Sequence, residues 1–231
     1  MARGLLALSR PGRRRWWCVV ASAVLSVAAT VPAGAAEVET RDFTVYVDAR
    51  KSGEVHMTIN RQDDGATAVS CDTDVRVGSI ITLYKYSYRG RELWKDGRLQ
   101  RFESKSNDDG KEFAVTATAA ADGLHVRAND GEHTAAADAL LTSYYAQPGA
   151  RLANQTAPLL DADTGRDLEA KVEFLGAEKY GANQDQTVQH VRLTGKGVAM
   201  DLWYDDAKRL VREEWVEQGH RTVVDLNRVR R

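Results

Sequence analysis

Cysteine is nearly absent from this 231-residue chain, which has two, and that excludes a disulfide-stapled scaffold. Proline is scarce, at four residues, and no collagen-like or low-complexity bias is present. Net charge is close to absent as well, at −1, which argues against a general nucleic-acid binder. No apolar run reaches the ~20 residues of a membrane-spanning helix, and the negative mean hydropathy excludes a polytopic membrane protein. Signatures of chemistry are missing too. The chain has no H-E-x-x-H, no C-x-x-C and no G-x-S-x-G. Gly195-Lys196-Gly197 lacks the helix and further glycines of a phosphate loop, and the five histidines, at 56, 125, 133, 190 and 220, show no metal spacing. No catalytic residue, metal or cofactor is therefore expected.

What is present divides the chain in two. Residues 1–15 carry five arginines and no acid, and Trp16 to Val31 form a 16-residue apolar run without charge. Ala33-Gly34-Ala35 then supplies an A-x-A cleavage signal. This order predicts a secretory signal peptide over residues 1–36. Arg13-Arg14-Arg15 also admits a twin-arginine route, so the export route stays open. The residues before Cys18 do not suit lipid attachment. Cleavage would leave residues 37–231 with 27 basic and 33 acidic side chains, a charge of −6. Cys71 then stands alone, the expected pattern of a small buried apolar residue. The expected location is the periplasm or the outside of the cell, with membrane contact only through the signal segment.

Residues 37–231 are punctuated by Asp-Gly, at 64–65, 96–97, 109–110, 122–123 and 130–131. Asp-Gly suits the positive φ angles of tight hairpin turns, so each pair marks a chain reversal. Between reversals, apolar and polar residues alternate: Phe43, Val45 and Val47 interleave with Thr44 and Tyr46, and Val55, Met57 and Ile59 with His56 and Thr58. That is the period of strands with one buried face. The pattern runs through 66–77, 80–88, 91–95, 98–105, 111–119 and 124–128. It resumes at 168–175, 187–194, 197–204, 209–217 and 221–229. Arg89-Gly90 is a weaker turn signal between two of these runs. Ala135 to Tyr145 has the composition of a short helix, and Pro148-Gly149 would end it. The expected architecture is mainly β: one domain over 37–231, a curled antiparallel sheet forming a half-barrel or open barrel, with a short helix or loop insertion.

The concave face of such a sheet is the natural place for function. Tyr84, Tyr86 and Tyr88 share one face of a strand with Ile80 and either line a ligand pocket or pave the barrel interior. Glu92 and Trp94 share a hairpin face that Arg98 could reach; they orient a polar head group or pin the register. In the run ending Met200-Asp201-Leu202-Trp203-Tyr204, the residues Val198, Met200, Leu202 and Tyr204 form an apolar stripe. Trp203 on the opposite face marks a rim or is covered by a neighbour. His56 and His190 would need the fold to bring them together. Asn154-Gln155-Thr156 fits a glycosylation sequon, meaningful only in a secreted eukaryotic chain. The basic end, Arg228 to Arg231, reads as a solvated terminus.

These segments in order resemble a family of uncharacterised bacterial exported domains. The resemblance rests on the opening strand and turn Phe43 to Gly53, the E-x-W-x-x-G-x-L hairpin within Tyr84 to Leu99, and the strand entry Ser106 to Gly110. It continues through the turn Asp161 to Gly165 and the strand Asp201 to Asp205, and so covers nearly all of residues 37–231. It implies the half-barrel fold of lipoprotein-localisation factors and related lipid carriers, and it carries over no catalytic residue.

Two functions follow as expectations. The first is an exported, non-enzymatic protein binding a lipid or other amphipathic molecule on the concave face, with Tyr84, Tyr86, Tyr88, Glu92 and Trp94 as ligand-binding residues. The alternative is an envelope structural or assembly protein with a filled interior, acting through an envelope protein partner. An open concavity favours the first, and a filled one the second.

Overall fold

Each of the five Asp-Gly pairs lies where one strand gives way to the next. Asp96 and Gly97 show the demanded geometry, with φ of 52° and 72°, as do Asp109 and Gly110 at 50° and 94°. The computed structural model describes residues 37–78, 83–181 and 184–231; the expected signal segment, residues 1–36, and Ile80 lie outside them. The strands are β1 (Glu37–Val47), β2 (Arg50–Arg61), β3 (Thr67–Gly78), β4 (Leu83–Lys95), β5 (Arg98–Asp108), β6 (Lys111–Ala120), β7 (Gly123–Ala128) and β8 (Gly131–Ala135). They continue with β9 (Leu140–Leu141), β10 (Thr156–Leu160), β11 (Asp167–Tyr180), β12 (Gln186–Gly195), β13 (Val198–Tyr204), β14 (Leu210–Glu217) and β15 (His220–Arg230).

All fifteen form one sheet, in the order β8-β7-β6-β5-β4-β3-β2-β1-β15-β14-β13-β12-β11-β10-β9. The first and last strands therefore pair at its centre, through a ladder from Thr40 opposite Arg230 to Val47 opposite Thr222. Every pairing is antiparallel except the short ladder of β9 on β10. The expected curled, mainly antiparallel sheet is what forms.

The curl has local causes. Bulges interrupt the ladders at Asp42/Phe43, Val45/Tyr46, Leu93/Trp94, Phe174/Gly176 and Trp203/Tyr204, and each adds twist. Glycine supplies the closest approaches. A side-chain carbon at Gly195 would collide with the Glu169 carbonyl, and one at Gly53 with the Asp74 carbonyl. The sheet bends until the turn after β10 reaches the inner face of β4 and β5. Ser104 Oγ donates to the Ala162 carbonyl at 2.6 Å, and Tyr86 Oη donates to Asp163 at 2.8 Å. His133 and Asp167 approach to 3.3 Å. Among the described residues no backbone ladder closes the sheet on itself, so it is barrel-like rather than a closed barrel.

Inside lies one continuous apolar cluster, which includes Phe43, Ile59, Phe102, Leu193 and Leu202. A strap over residues 136–155 joins the two margins and enters this cluster through Ala139, Leu141 and Tyr144. The helix expected for Ala135 to Tyr145 does not form. That stretch holds the end of β8, β9 and turns, with Tyr144 at a φ of 46°. Helix propensity is a weak prior, and burial against the sheet overrides it. The insertion is thus a loop with one short 3₁₀ turn, Ala150–Leu152. A second difference is at Arg89-Gly90, read as a turn signal, where β4 runs straight through. Gly90 is instead the floor beneath the Tyr88 ring, whose hydroxyl occupies the space of a side chain.

Replacing Gly195 by alanine should therefore cost about 1–3 kcal/mol through overpacking. Gly149→Ala, at ordinary backbone angles and in open space, should be nearly neutral. Urea denaturation of the two variants checks this.

Candidate functional site

Alternation along β4 turns Tyr84, Tyr86, Tyr88, Gly90, Glu92 and Trp94 to the inner face together. Burial deepens along the strand: Tyr84 is 40% exposed, Tyr86 half-buried, Tyr88 6% and Glu92 4% exposed. The five expected ligand-binding residues therefore share one wall but divide between two environments. Tyr84 Oη donates to Asp108 at 2.7 Å near the rim. Tyr86 Oη donates to both oxygens of Asp163, at 2.8 and 3.0 Å. The Tyr88 hydroxyl has no partner. Deeper still, Trp94 Nε1 donates to Glu92 at 2.6 Å, and the Trp94 ring lies 5.5 Å from that of Tyr145 on the strap.

The strap closes this deeper half. Arg41, buried on β1, donates from Nη1 to the Tyr145 carbonyl at 2.8 Å and from Nε to Glu39 at 2.7 Å. Tyr204 Oη donates to the Tyr144 carbonyl at 3.4 Å, and Ala146 bridges to Arg209. Burial works against the Glu39 carboxylate, but hydrogen bonds from Arg41 and Arg231 outweigh it and hold its pKa below the usual range. The basic end is thus tied down, with Arg231 on Glu39 and Arg230 on Asp42.

The other half is different. The register carries an inward row from Leu202 through Glu213, Val224, Val45, Gly53 and Val75 to Tyr86. A neighbouring row runs from Met200 through Trp215 to Thr222. Although these rows face inward, Val55, Val77, Tyr86, Met200 and Trp215 are only partly buried, and they pack on the core from one side. Their other side faces the concavity. The Glu213 carboxyl on β14 adds to the raised pKa of Cys71 on β3 and of Tyr144 on the strap, and Glu217 adds to that of Tyr84. We call this apolar and aromatic inner face, covered on one side only, the cup.

The interior is unusual in its acids. Burial pushes the Glu213 carboxyl up to about 8, with no hydrogen bond to oppose it. Burial raises Glu92 to about 7, against the hydrogen bond from Trp94. It also raises Asp163, against the hydrogen bond from Tyr86. The Cys71 thiol is pushed up to about 12, which makes it a poor nucleophile. Glu92 Oε1, Ser106 Oγ and Ser143 Oγ join Tyr88 Oη as buried polar atoms without partners.

A second polar constellation lies on the outer face. His190 has Glu178 Oε1 2.6 Å from Nδ1 and Asp201 Oδ1 2.6 Å from Nε2. Its ring stacks on Trp203 at 4.4 Å, and Trp203 Nε1 donates to Glu178 at 3.0 Å. Trp203 is thus covered by its neighbours. Arg212, 5.5 Å from that ring, links Glu214 and Asp225, and Tyr180 Oη also donates to Asp225. His56 sits five strands away beside Asp42, so the two histidines do not meet. Each His190 nitrogen faces a different carboxylate, and among the described residues no three such side chains form a metal-ligand group. Two shallow depressions, of about 210 and 530 Å³, have polar and charged residues in their walls, among them Asp205 and Arg209 in one and Arg89, Lys105 and Glu112 in the other.

Sequence reading found the β4 wall and a short helix or loop insertion, but missed Glu213, Trp215 and the place of the insertion inside the sheet. Met200 was visible as part of an apolar stripe, without its place in the cup.

Comparison with known proteins now adds to this geometry. The model of a family described as a domain of unknown function, DUF6134, matches residues 43–227. The chain belongs to that family. Its fold is similar to that of a crystallised β-barrel-like protein of another domain of unknown function, DUF1849, from Brucella abortus. That similarity has a TM-score of 0.60 at 12% identity and covers 83% of this chain and 96% of the other. At that identity the likeness speaks for the fold alone. No curated protein matches the chain.

The two raised carboxyls set a pH dependence. Each keeps its proton in the fold through a range where the unfolded chain has lost it. Stability should therefore fall as pH rises from about 4.5 to about 8. Urea midpoints measured across that range should decline for the wild type, and the decline should flatten in a Glu92→Gln, Glu213→Gln double variant.

Proposed function

We propose that this is an exported, non-enzymatic protein that holds a lipid or other amphipathic molecule on the concave face of its sheet, in the half the strap leaves open. The observation that carries the reading is the set of inward-facing apolar and aromatic side chains, Val55, Val77, Tyr86, Met200 and Trp215, that the protein itself covers on one side only. A folded protein gains by burying such surface, and a ligand with an apolar tail supplies the cover. Tyr84 and Tyr86 form one wall and Met200 and Trp215 the other. Tyr88 lies at the floor, while Glu92 and Trp94 support the strap beneath it. The basic and apolar start of the sequence fits delivery to the periplasm or beyond.

The strap-filled half supports a second reading, an envelope protein working through protein partners on its outer surface. The two differ in what the cup does.

Titration with N-phenyl-1-naphthylamine, an apolar dye, separates them. Saturable binding at one site is expected. Trp215→Ala should weaken it by roughly tenfold or more, the loss of one indole face from the wall. Absence of saturable binding to the wild-type protein would remove the ligand-binding reading and leave the surface one.

A further inference from the structure

The open half of the barrel holds an acid that the fold leaves without a counter-charge. Glu213 lies between Leu202 and Val224 in the inward row, and burial alone accounts for its raised pKa. The titratable groups that face it are Cys71 on β3, Tyr144 on the strap and Tyr204 on β13, none of them a cation. Among the described inward positions of β1 to β5 and β13 to β15 on the open side, the one cation is Arg50, exposed at the rim, where the row of Trp215 and Thr222 runs on through Val47 to it, three strands from Glu213. Rim and wall add more carboxylates, with Asp108 under Tyr84, Asp163 under Tyr86, and Glu217 acting on Tyr84. By contrast, the buried acid on the strap side, Glu39, is met by Arg41 and Arg231.

This contrast matters because an uncompensated carboxyl in apolar surroundings is costly to keep. A hydrophobic residue of similar size in that row would stabilise the protein, and stability alone gives no reason for an acid there. A carboxylate beside aromatic faces, with no protein cation to satisfy it, is the chemistry that recognises an ammonium group. Tyr86 and Trp215 stand on the two walls of the cup that contains it.

Resting on the amphiphile-binding reading above, we propose that the ligand's polar head is cationic, an amine or quaternary ammonium on an apolar tail, and that Glu213 receives it. In the empty cup the Glu213 carboxyl keeps its proton at neutral pH. A bound ammonium favours the ionised form, so the O–H bond of the carboxyl breaks and its proton passes to solvent as the ion pair forms. A quaternary head carries no acidic proton of its own. Any proton released when it binds therefore comes from the protein.

Calorimetric titration near pH 6.5, in two buffers of different ionisation enthalpy, tests this. Three ten-carbon probes are used: decyltrimethylammonium, 1-decanol and decanoate. Decyltrimethylammonium should bind at least about tenfold more tightly than 1-decanol, releasing close to one proton, with decanoate weakest. Glu213→Gln should lose both the preference and the proton release. The wild-type proton count needs no variant, so the test survives a Glu213→Gln chain that fails to fold. Equal affinity for the three probes, a preference for decanoate, or release unchanged in Glu213→Gln would overturn the cationic assignment and leave the cup as an amphiphile site. Failure of all three probes to bind would overturn the binding reading itself.

Discussion

A sheet of fifteen strands has two faces, and among the described residues there is almost no helix with which to cover either. The inner face must therefore be buried by curling the sheet on itself, and every other feature answers to that constraint. Bulges and close glycine approaches bend the strands. The strap from one margin to the other fills what curling alone leaves empty. Each fully buried side chain such as Ile59, Phe102 or Leu202 contributes roughly 1.5–3 kcal/mol relative to its exposed state, but only while the curl holds. The contacts of Ser104 with Ala162 and of Tyr86 with Asp163 tie the turn after β10 to the inner face of β5 and β4. Pairing of the first and last strands at the centre makes the two halves of the chain depend on each other.

The strap covers the inner face unevenly, and that unevenness gives the molecule a direction. At one end Glu39, Arg41, Arg231 and the Tyr145 carbonyl satisfy one another, so charge is buried with its partner. Toward the other end Asp163 and Glu213 are half-buried, the first held by the Tyr86 hydroxyl and the second by no cation. Paired buried charges position a structure, whereas unpaired ones cost stability. The strap-side cluster belongs to the first kind and Glu213 to the second. The outer-face network around His190 also belongs to the first, since each of its carboxylates meets a donor from the same sheet.

Much of this was legible in the sequence where the physics is local. The Asp-Gly pairs predicted reversals because their backbone geometry depends on two residues alone. Alternation through Tyr84, Tyr86, Tyr88, Glu92 and Trp94 assigned these residues to one face, and Val198 to Tyr204 likewise. Where the signal was ambiguous or non-local, it was lost. In Arg212-Glu213-Glu214 three charges run together, so period-2 alternation cannot say which of them points inward, and a bulge at Trp203/Tyr204 breaks the register just before it. Gly90 read as punctuation because nothing local reveals the Tyr88 ring above it. The strap read as a helix because its Ala and Leu content is helix-like, while its burial is decided by strands far away in sequence. The opposition of β14 to β3 follows only from the curl of the whole sheet, so the second wall of the cup had no sequence signal.

The central claim is that the concave face is half filled by the chain itself and half open to a ligand. A crystal of the protein grown with a bromine-terminated alkyl amphiphile tests it directly, through the anomalous signal of the bromine. The account predicts an ordered bromine position inside the barrel, between the wall of Tyr86 and that of Trp215, with the strap in place beneath it. Bromine bound only on the outer surface, or an interior closed from rim to rim by protein side chains, would contradict it.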